Sequence, residues 1–269
     1  MNTIGFLGSG NMAEALIKGL TAKKVYKPEN IFISDIRAER VRYLAEKYNV
    51  TAVEENSKLA AKVDILVLSV KPQNMAEALG SIKDSIRKDL FIVSIAAGIK
   101  TANIAGVLGD IAIVRVMPNT PALIGEGASA LFANQKAKPM LDKAMSIFTS
   151  VGKAIVVDDE DLIDAVTAVS GSGPAYYFLL MEEMIKAASE LGLPDNVAKD
   201  LVLQTAKGAA LLAVEAAKEG ESPAELRRKV TSPGGTTEAA VKVLTDGKFG
   251  PLVSAAIKQA HQKSRQLSR

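Results

Sequence analysis

Short apolar runs alternate with amphipathic segments along the first part of the chain. The apolar runs have the length of buried strands and lie at 4–7, 31–33, 65–70, 91–95 and 111–116. The segments between them have helical spacing and lie at 13–20, 38–48, 57–61, 74–86 and 101–108. Because such alternation builds right-handed βαβ units, the pattern predicts a parallel sheet that helices bury on both faces.

The alternation ends near residue 158. Further strands are predicted at 128–132 and 154–157, with a helix at 138–151 between them. After the acidic run at 158–161, helices are predicted at 162–170, 175–191, 195–219, 223–229, 236–246 and 248–266. The sequence therefore predicts an α/β protein with a doubly wound domain at 1–158 and an all-helical domain at 159–269. The small, apolar stripe at 206–213 suits burial against a second subunit, although packing within the chain is the simpler alternative.

Composition excludes several classes of function. Basic residues (33) and acidic residues (30) nearly balance at a net charge of +3, which argues against a nucleic-acid partner. The chain has no cysteine and one histidine, so we expect neither a metal site nor thiolate chemistry. No apolar run reaches the roughly 18 residues of a membrane span, and no leader precedes the first strand. We therefore expect a cytoplasmic protein with no membrane partner.

A glycine-rich turn with the spacing G-x-G-x-x-A follows the first predicted strand. Gly8 permits the tight turn, Gly10 lets a pyrophosphate approach the backbone, and Ala13 lets the next helix pack closely. The first amides of that helix, those of Asn11 and Met12, would hold the phosphates together with the helix dipole. The turn predicts a Rossmann-type dinucleotide site, although such a turn also occurs in purely structural roles.

Two more segments follow predicted strands at their carboxyl ends, where open α/β sheets bind ligands. The first consists of Ser69, Val70, Lys71 and Pro72. Lys71 is a candidate for binding a ribose or a phosphate, or else an ordinary exposed side chain. The second segment, 94–98, includes Ala96 and Ala97, whose small side chains leave room for a cofactor ring or simply form a turn.

Two other segments interrupt the regular pattern with polar residues. Pro118 and Pro121 stiffen the loop that carries Asn119 and Thr120, which is typical of a binding site. In 231–237, glycine amides, hydroxyl groups and a helix start converge, so this loop is a candidate carboxylate receptor. An N-cap would account for one of its threonines but not for the whole run. The break at 170–174 is interpreted as a helix–helix turn and subunit contact.

The catalytic groups that the sequence lacks are also informative. His261 lies in a basic C-terminal segment and is expected to be solvated, and no Ser–His–Asp set is present. A dinucleotide site beside an anion-binding loop suits hydride transfer to a substrate that is already electrophilic.

In their order, these segments resemble the pyrroline-5-carboxylate reductases. The resemblance rests on residues 4–13, 69–72, 94–98, 117–121, 170–176 and 231–237, which span nearly the whole chain. The Ser-Pro-Gly-Gly-Thr-Thr run is its most specific part. The resemblance implies NAD(P)H-dependent reduction of 1-pyrroline-5-carboxylate to L-proline, the last step of proline biosynthesis.

The resemblance also implies a role for individual residues. The implied substrate-binding residues are Met117, Asn119, Ser232, Gly234, Gly235, Thr236 and Thr237. Of these, Thr237 would also be catalytic, by hydrogen-bonding the imine nitrogen and relaying its proton. The helical domain would form a homodimer, which in the family is often assembled further into a ring of dimers. Each site would then combine one subunit's cofactor domain with its partner's glycine-rich loop.

The preference between NADP and NAD depends on the residues after the second strand. Ser34 and Arg37 suit a 2′-phosphate, whereas Asp35 would bind the ribose 2′-hydroxyl of NAD or repel a phosphate. Asn56 matches a family position near the adenosine ribose. We predict NADP as the cofactor, with NAD as an open alternative.

Two rival functions are compatible with the same architecture. A β-hydroxyacid-type dehydrogenase resembles this plan but needs a lysine in the helix after a glycine-rich turn, and here no lysine follows Gly173 until Lys186. A non-catalytic NADP-binding regulator would keep Gly8 and Gly10 but would have no use for the loop at 231–237.

Overall fold

The computed structural model describes residues 3–268, and its strands form one sheet. The strands are β1 (Ile4–Leu7), β2 (Ile31–Ser34), β3 (Thr51–Ala52), β4 (Ile65–Leu68), β5 (Phe91–Ser94), β6 (Ala112–Met117), β7 (Gly127–Ala133) and β8 (Gly152–Val156). Their order across the sheet is β3-β2-β1-β4-β5-β6-β7-β8. The first six strands are parallel and have the order of a doubly wound dinucleotide-binding sheet, as predicted.

The sheet differs from the prediction at both edges. It is mixed rather than parallel, because β7 pairs antiparallel with β6 and β8 follows the direction of β7. The connection from β6 to β7 holds only a 3₁₀ turn (Thr120–Ile124), which is too short for the helical crossover that parallel strands require. At the other edge lies β3, which was not predicted because its two residues are too few to form an apolar run.

Helices cover both faces of the sheet and form the rest of the chain. They are α1 (Asn11–Ala22), α2 (Ala38–Tyr48), α3 (Asn56–Lys62), α4 (Met75–Gly80), α5 (Thr101–Leu108), α6 (Leu141–Thr149), α7 (Leu162–Val166), α8 (Gly173–Glu190), α9 (Asp195–Ala216), α10 (Pro223–Lys229), α11 (Thr236–Asp246) and α12 (Phe249–Leu267). The predicted helix at 74–86 is wrong in length, because α4 ends at Gly80. Glycine is a poor helix former, and the Ser81 hydroxyl donates to the Ala78 carbonyl at 2.7 Å, which ends the regular pattern.

The sheet has an apolar core on each face. Alternate side chains of the central strands pack against α1 and α6 on one face, and against α3 and α4 on the other. Because both faces are covered, β1, β2, β4 and β5 are buried along their whole length. Their carboxyl ends are therefore held rigidly at one edge of the core.

The predicted turn at 170–174 is wrong, because the backbone stays helical through this region. A π-helical turn (Thr167–Gly171) joins α7 to α8, and the Ser172 N–H donates to the Thr167 carbonyl at 2.8 Å. The glycines therefore lie inside a helical segment that contains one widened turn. Such widened turns are frequent at functional sites.

Packing divides the described residues into two compact units, 3–174 with 259–268, and 175–258. The predicted boundary at 158/159 marks the change from strands to helices, whereas α7 and the end of α12 pack with the sheet. In the second unit many large apolar side chains are exposed, including Tyr177 (67%), Phe178 (60%) and Val214 (64%). Exposed apolar surface on this scale is typical of a protein interface. Among residues 3–268, no helix is long and apolar enough to cross a membrane.

Candidate functional site

A cleft of about 270 Å³ opens where the strand order reverses, at the carboxyl ends of β1, β2 and β4. In open α/β sheets this reversal is where ligands bind. The cleft is lined by Leu7, Gly8, Gly10, Ser34, Asp35, Ile36, Arg37, Asn56, Ser69, Val70, Lys71, Asn74, Glu77, Ala78 and Ser81. The three loops that sequence analysis selected at the ends of these strands therefore meet in one place.

The turn after β1 requires glycine at its first position. Gly8 has φ +99°, and a Cβ there would lie 2.8 Å from the backbone carbon and oxygen of Ser69. The turn is held by the Gly8 N–H, which donates to the Ser34 carbonyl at 2.8 Å, and by the Ser69 hydroxyl, which donates to the Gly8 carbonyl at 2.6 Å. Around Gly10 the space is open, so a ligand can reach the backbone at the start of α1.

Most of the predicted cofactor residues line this cleft. Those brought together there are Gly8, Gly10, Ser34, Arg37, Asn56, Ser69, Val70 and Lys71. Those outside its lining are Asn11, Met12, Pro72, Ala96 and Ala97. The amides of Asn11 and Met12 belong to the first turn of α1, and Ala96 and Ala97 follow β5.

Sequence analysis missed one wall of the cleft. Asn74, Glu77, Ala78 and Ser81 line it from α4 and its ends. Their spacing of three and four residues places them on one helical face, which was the available signal.

A chain of hydrogen bonds joins three polar side chains at the floor of the cleft. The Ser34 hydroxyl donates to Asn56 Oδ1 at 2.9 Å, and Asn56 Nδ2 donates to Ser81 Oγ at 3.0 Å. Ser34 is buried, so this chain holds its side chain in place. The arrangement supports Asn56 as a residue of the cleft, as the resemblance implied.

Asp35 does not have a free carboxylate. Its Oδ1 accepts from Arg37 N–H at 2.9 Å and Nε at 3.1 Å, and its Oδ2 accepts from the Ser9 N–H at 2.7 Å. Burial alone would raise the pKa of Asp35, but the hydrogen bonds from Arg37 and Ser9 outweigh it and lower that pKa. The Asp35 side chain is 8% exposed and that of Arg37 is 56% exposed, so the guanidinium faces the solvent side of the cleft.

Behind the glycine-rich turn, Glu14 of α1 is the centre of a charged cluster with α2. It pairs with Arg40 and Lys47 and accepts a hydrogen bond from the Tyr48 hydroxyl at 3.0 Å. Burial raises the pKa of Glu14, yet the hydrogen bonds from Arg40, Lys47 and Tyr48 together lower it from 4.5 to about 2. The ionised carboxylate is thus strongly favoured by the folded state.

This pKa shift predicts a pH-dependent contribution to stability. Because the folded pKa lies below the unfolded value of 4.5, the contribution of Glu14 is complete above about pH 5 and is lost as the pH falls toward 2. We expect Glu14→Gln to lower the free energy of unfolding at pH 7, and the difference from wild type to shrink below pH 4.5. Urea unfolding of both proteins between about pH 3 and pH 7 measures it. A difference that stays constant with pH would contradict the assignment.

Met117 and Asn119, at the end of β6, lie against the π-helical turn. Asn119 Oδ1 accepts from the Ala128 N–H at 2.8 Å, and Asn119 Nδ2 donates to the Ser170 carbonyl at 3.1 Å. A Cβ on Gly171 would lie 2.5 Å from the Met117 methyl carbon, so a larger residue there would displace the end of the Met117 side chain. The amide of Asn119 therefore fastens the loop to the helix, and its predicted contact with substrate stays a prediction.

The loop at 231–237 is exposed and ends at the start of α11. Gly234 has φ +71°, and its N–H donates to Glu238 Oε2 at 2.8 Å, while the Gly235 N–H donates to the Ser232 carbonyl at 3.0 Å. These two amides, which were predicted to bind a carboxylate, thus already have partners. Gly235 caps α11 without a side chain, so the amides of Thr236 and Thr237 are the first N–H groups of that helix.

The fold and the cleft define a Rossmann-type dinucleotide-binding protein. A family model described as NADP oxidoreductase, coenzyme F420-dependent, matches residues 3–98, and one described as pyrroline-5-carboxylate reductase dimerisation matches residues 160–267. The chain belongs to the pyrroline-5-carboxylate reductase family, which is a family of oxidoreductases.

Relatives and solved structures agree over the full length. The chain is 47% identical to the pyrroline-5-carboxylate reductase of Pseudomonas aeruginosa over 267 residues, covering 98% of this chain and 96% of the relative. The corresponding structure from Coxiella burnetii has a TM-score of 0.92 and 40% identity, covering 100% and 99% of the two chains. That of Plasmodium falciparum, described with NADP bound, has a TM-score of 0.88 and 30% identity, covering 99% and 98%.

Proposed function

We propose that this protein reduces 1-pyrroline-5-carboxylate to L-proline with NADPH, the last step of proline biosynthesis. The observation that best supports this function is the dinucleotide cleft where the strand order reverses, in a chain that matches reductases of this substrate over 98% of its length. NADPH supplies a hydride to the C=N carbon, and the nitrogen keeps the proton that makes the imine an iminium. Because an iminium accepts hydride readily, the chain needs to orient the reactants more than to supply a strong acid.

The cofactor is bound by the loops of the cleft. The amides at the start of α1 and the open space at Gly10 suit the pyrophosphate, and the hydroxyl and amide of Ser34 and Asn56 suit the adenosine ribose. The exposed guanidinium of Arg37 is the cation that reaches a 2′-phosphate. Asp35 is already neutralised by Arg37, which reduces its repulsion of that phosphate.

We expect Arg37→Ala to raise the KM for NADPH about tenfold, because a charge-assisted hydrogen bond to phosphate is lost. The KM for NADH should stay within about twofold of wild type, since NADH has no 2′-phosphate to lose the contact. Steady-state kinetics with each cofactor at saturating imine measure this. An unchanged KM for NADPH would remove Arg37 from the phosphate site.

The substrate carboxylate is bound at the start of α11. The amides of Thr236 and Thr237 have no intrahelical partners. Together with the positive end of the helix dipole, they favour binding of a carboxylate. The Thr237 hydroxyl then hydrogen-bonds the imine nitrogen, with Ser232 beside the carboxylate. Gly234 and Gly235 shape the loop, and Met117 and Asn119 border the nicotinamide and the ring.

The helical unit makes the protein a homo-oligomer. The match to a dimerisation family at 160–267 and the exposed apolar side chains of α8 and α9 support this. We propose a homodimer, within a ring of dimers, whose sites each take the cofactor domain from one subunit and the glycine-rich loop from its partner. Light scattering measures the size of the assembly. A cytoplasmic location stays a prediction.

One assay separates this function from its rivals. Purified protein with NADPH and 1-pyrroline-5-carboxylate should oxidise the cofactor at a rate that depends on the imine. Turnover of a 3-hydroxyacid with NADP but not of the imine would favour the dehydrogenase. Binding of NADPH without turnover of either compound would favour a regulator.

A further inference from the structure

The backbone of Ser9, between the two glycines of the turn, is held on both sides. Its N–H donates to Asp35 Oδ2 at 2.7 Å, and its carbonyl accepts from Arg40 Nε at 2.7 Å. Ser9 is fully buried, and its own hydroxyl has no hydrogen-bond partner in the described part of the chain. The orientation of the turn therefore depends on backbone contacts to two side chains from neighbouring elements.

Neither of these two side chains is placed to bind a ligand, because the Asp35 carboxylate is filled by protein donors and Arg40 stands outside the lining of the cleft. Both carboxylate oxygens of Asp35 accept two hydrogen bonds each, three of them from Arg37 and one from Ser9. Arg40 uses Nε on Ser9 and Nη2 on Glu14, and it does not line the cleft. An acidic residue in the position of Asp35 ordinarily reads the ribose 2′-hydroxyl, but here that carboxylate is committed to protein groups.

We propose that Asp35 and Arg40 are positioning residues that fix the backbone of Ser9, so that the glycine-rich turn is preformed for the pyrophosphate of either dinucleotide. The proposal rests on the proposed function only in naming NADPH and NADH as ligands. The pyrophosphate is common to NADPH and NADH, so a disordered turn weakens the binding of both cofactors together. A residue that read the ribose would instead change the ratio of the two affinities.

The first test compares Arg40→Ala with Lys47→Ala. Both variants remove a cation from Glu14, but only Arg40 also touches Ser9. Dissociation constants for NADPH and NADH, from fluorescence titration without substrate, should each rise about tenfold in Arg40→Ala and stay near wild type in Lys47→Ala. Arg40→Lys, which keeps a cation for Glu14, supplies a second variant if Arg40→Ala is poorly folded.

Two results would overturn the role of Arg40. A loss confined to NADPH would make Arg40 a reader of the 2′-phosphate. Equal losses in Arg40→Ala and Lys47→Ala, with equal falls in melting temperature, would make its role purely structural.

The second test uses the sign of the change in Asp35→Ala. Under the proposal, affinity falls for both NADPH and NADH, because the Ser9 N–H loses its acceptor. If Asp35 read the ribose of NADH, its removal would lower affinity for NADH and raise affinity for NADPH. Arg37→Ala is the matched control for NADH, whose affinity it should leave near wild type, because it breaks the ion pair with Asp35 and leaves the contact with Ser9 intact.

The proposal and the proposed function fail in different ways. Titration needs no imine, so a wild-type protein that binds NADPH but does not reduce the imine leaves the test of Asp35 and Arg40 valid. A wild-type protein that binds neither dinucleotide contradicts both.

Discussion

Replacing Arg115 with leucine is expected to lower the free energy of unfolding by about 3–5 kcal/mol, because it leaves buried carboxylates without their cation. The Arg115 side chain, on β6, is 1% exposed. It lies 3.3 Å from Glu160 and 3.8 Å from Asp164, whose side chains are 15% and 4% exposed. Asp164 also accepts the hydroxyls of Ser264 and Ser268 at 2.7 and 2.8 Å, so the arginine supports the end of α12.

Urea unfolding at pH 7 measures this loss, and Arg87→Leu is the control. Arg87 also pairs with two carboxylates, but its side chain is 39% exposed, so its removal should cost less than about 1 kcal/mol. Adding Asp164→Asn to Arg115→Leu should recover part of the stability, because one unpaired charge is removed. If Arg115→Leu and Arg87→Leu lower the free energy of unfolding by equal amounts, the burial of Arg115 does not determine its contribution to stability.

Thr237→Ala is expected to lower kcat/KM for the imine about a hundredfold. This is the lower end of the rate loss expected when a group that assists proton transfer is removed. Thr237 is the second residue of α11, and Gly235 is the cap, so the substitution removes a hydroxyl without removing a helix cap. The dissociation constant for NADPH should stay within about twofold of wild type, because the cofactor cleft is built from other loops.

Two variants make this expectation specific to the hydroxyl. Thr237→Ser keeps the hydroxyl and should recover most of the activity. Thr236→Ala keeps the backbone amide at the neighbouring position and should change kcat/KM much less. An equal loss of NADPH affinity in Thr237→Ala would place this residue in the cofactor site and contradict its assigned role.

The sheet could be predicted because buried strands leave unbroken apolar runs. The observed bounds of β1, β2, β4 and β5 lie within two residues of the predicted ones. The direction of β7 was not predictable from its own residues, since a strand has the same pattern in either direction and only the loop before it decides. The π-helical turn was also missed, because Gly171 and Gly173 are typical of a turn and the contact between Gly171 and Met117 joins residues far apart in the sequence.

The site was predictable where backbone geometry restricts the residue type. Gly8 is an example, because its positive φ and the nearby backbone of Ser69 exclude other residues. The function of Asp35 was not predictable, because the sequence allowed Asp35 either to bind a ribose or to repel a phosphate. The contact between Asp35 and the Ser9 amide joins residues 26 positions apart, and no local pattern announces it. The pairing of Gly234 with Glu238 is local, but it was not expected because the amide of Gly234 was assigned to the substrate carboxylate.

The bond from the last turn of α12 to Asp164 has a consequence for biosynthesis. The unit that contains the sheet is discontinuous in the chain, since its final part is residues 259–268. During synthesis, the sheet and Arg115 therefore emerge long before Ser264 and Ser268, which pair with Asp164. Folding of the nucleotide-binding half can begin early but is completed only when translation has passed residues 259–268. A nascent chain stalled after residue 174 should thus be more sensitive to proteases than the released protein.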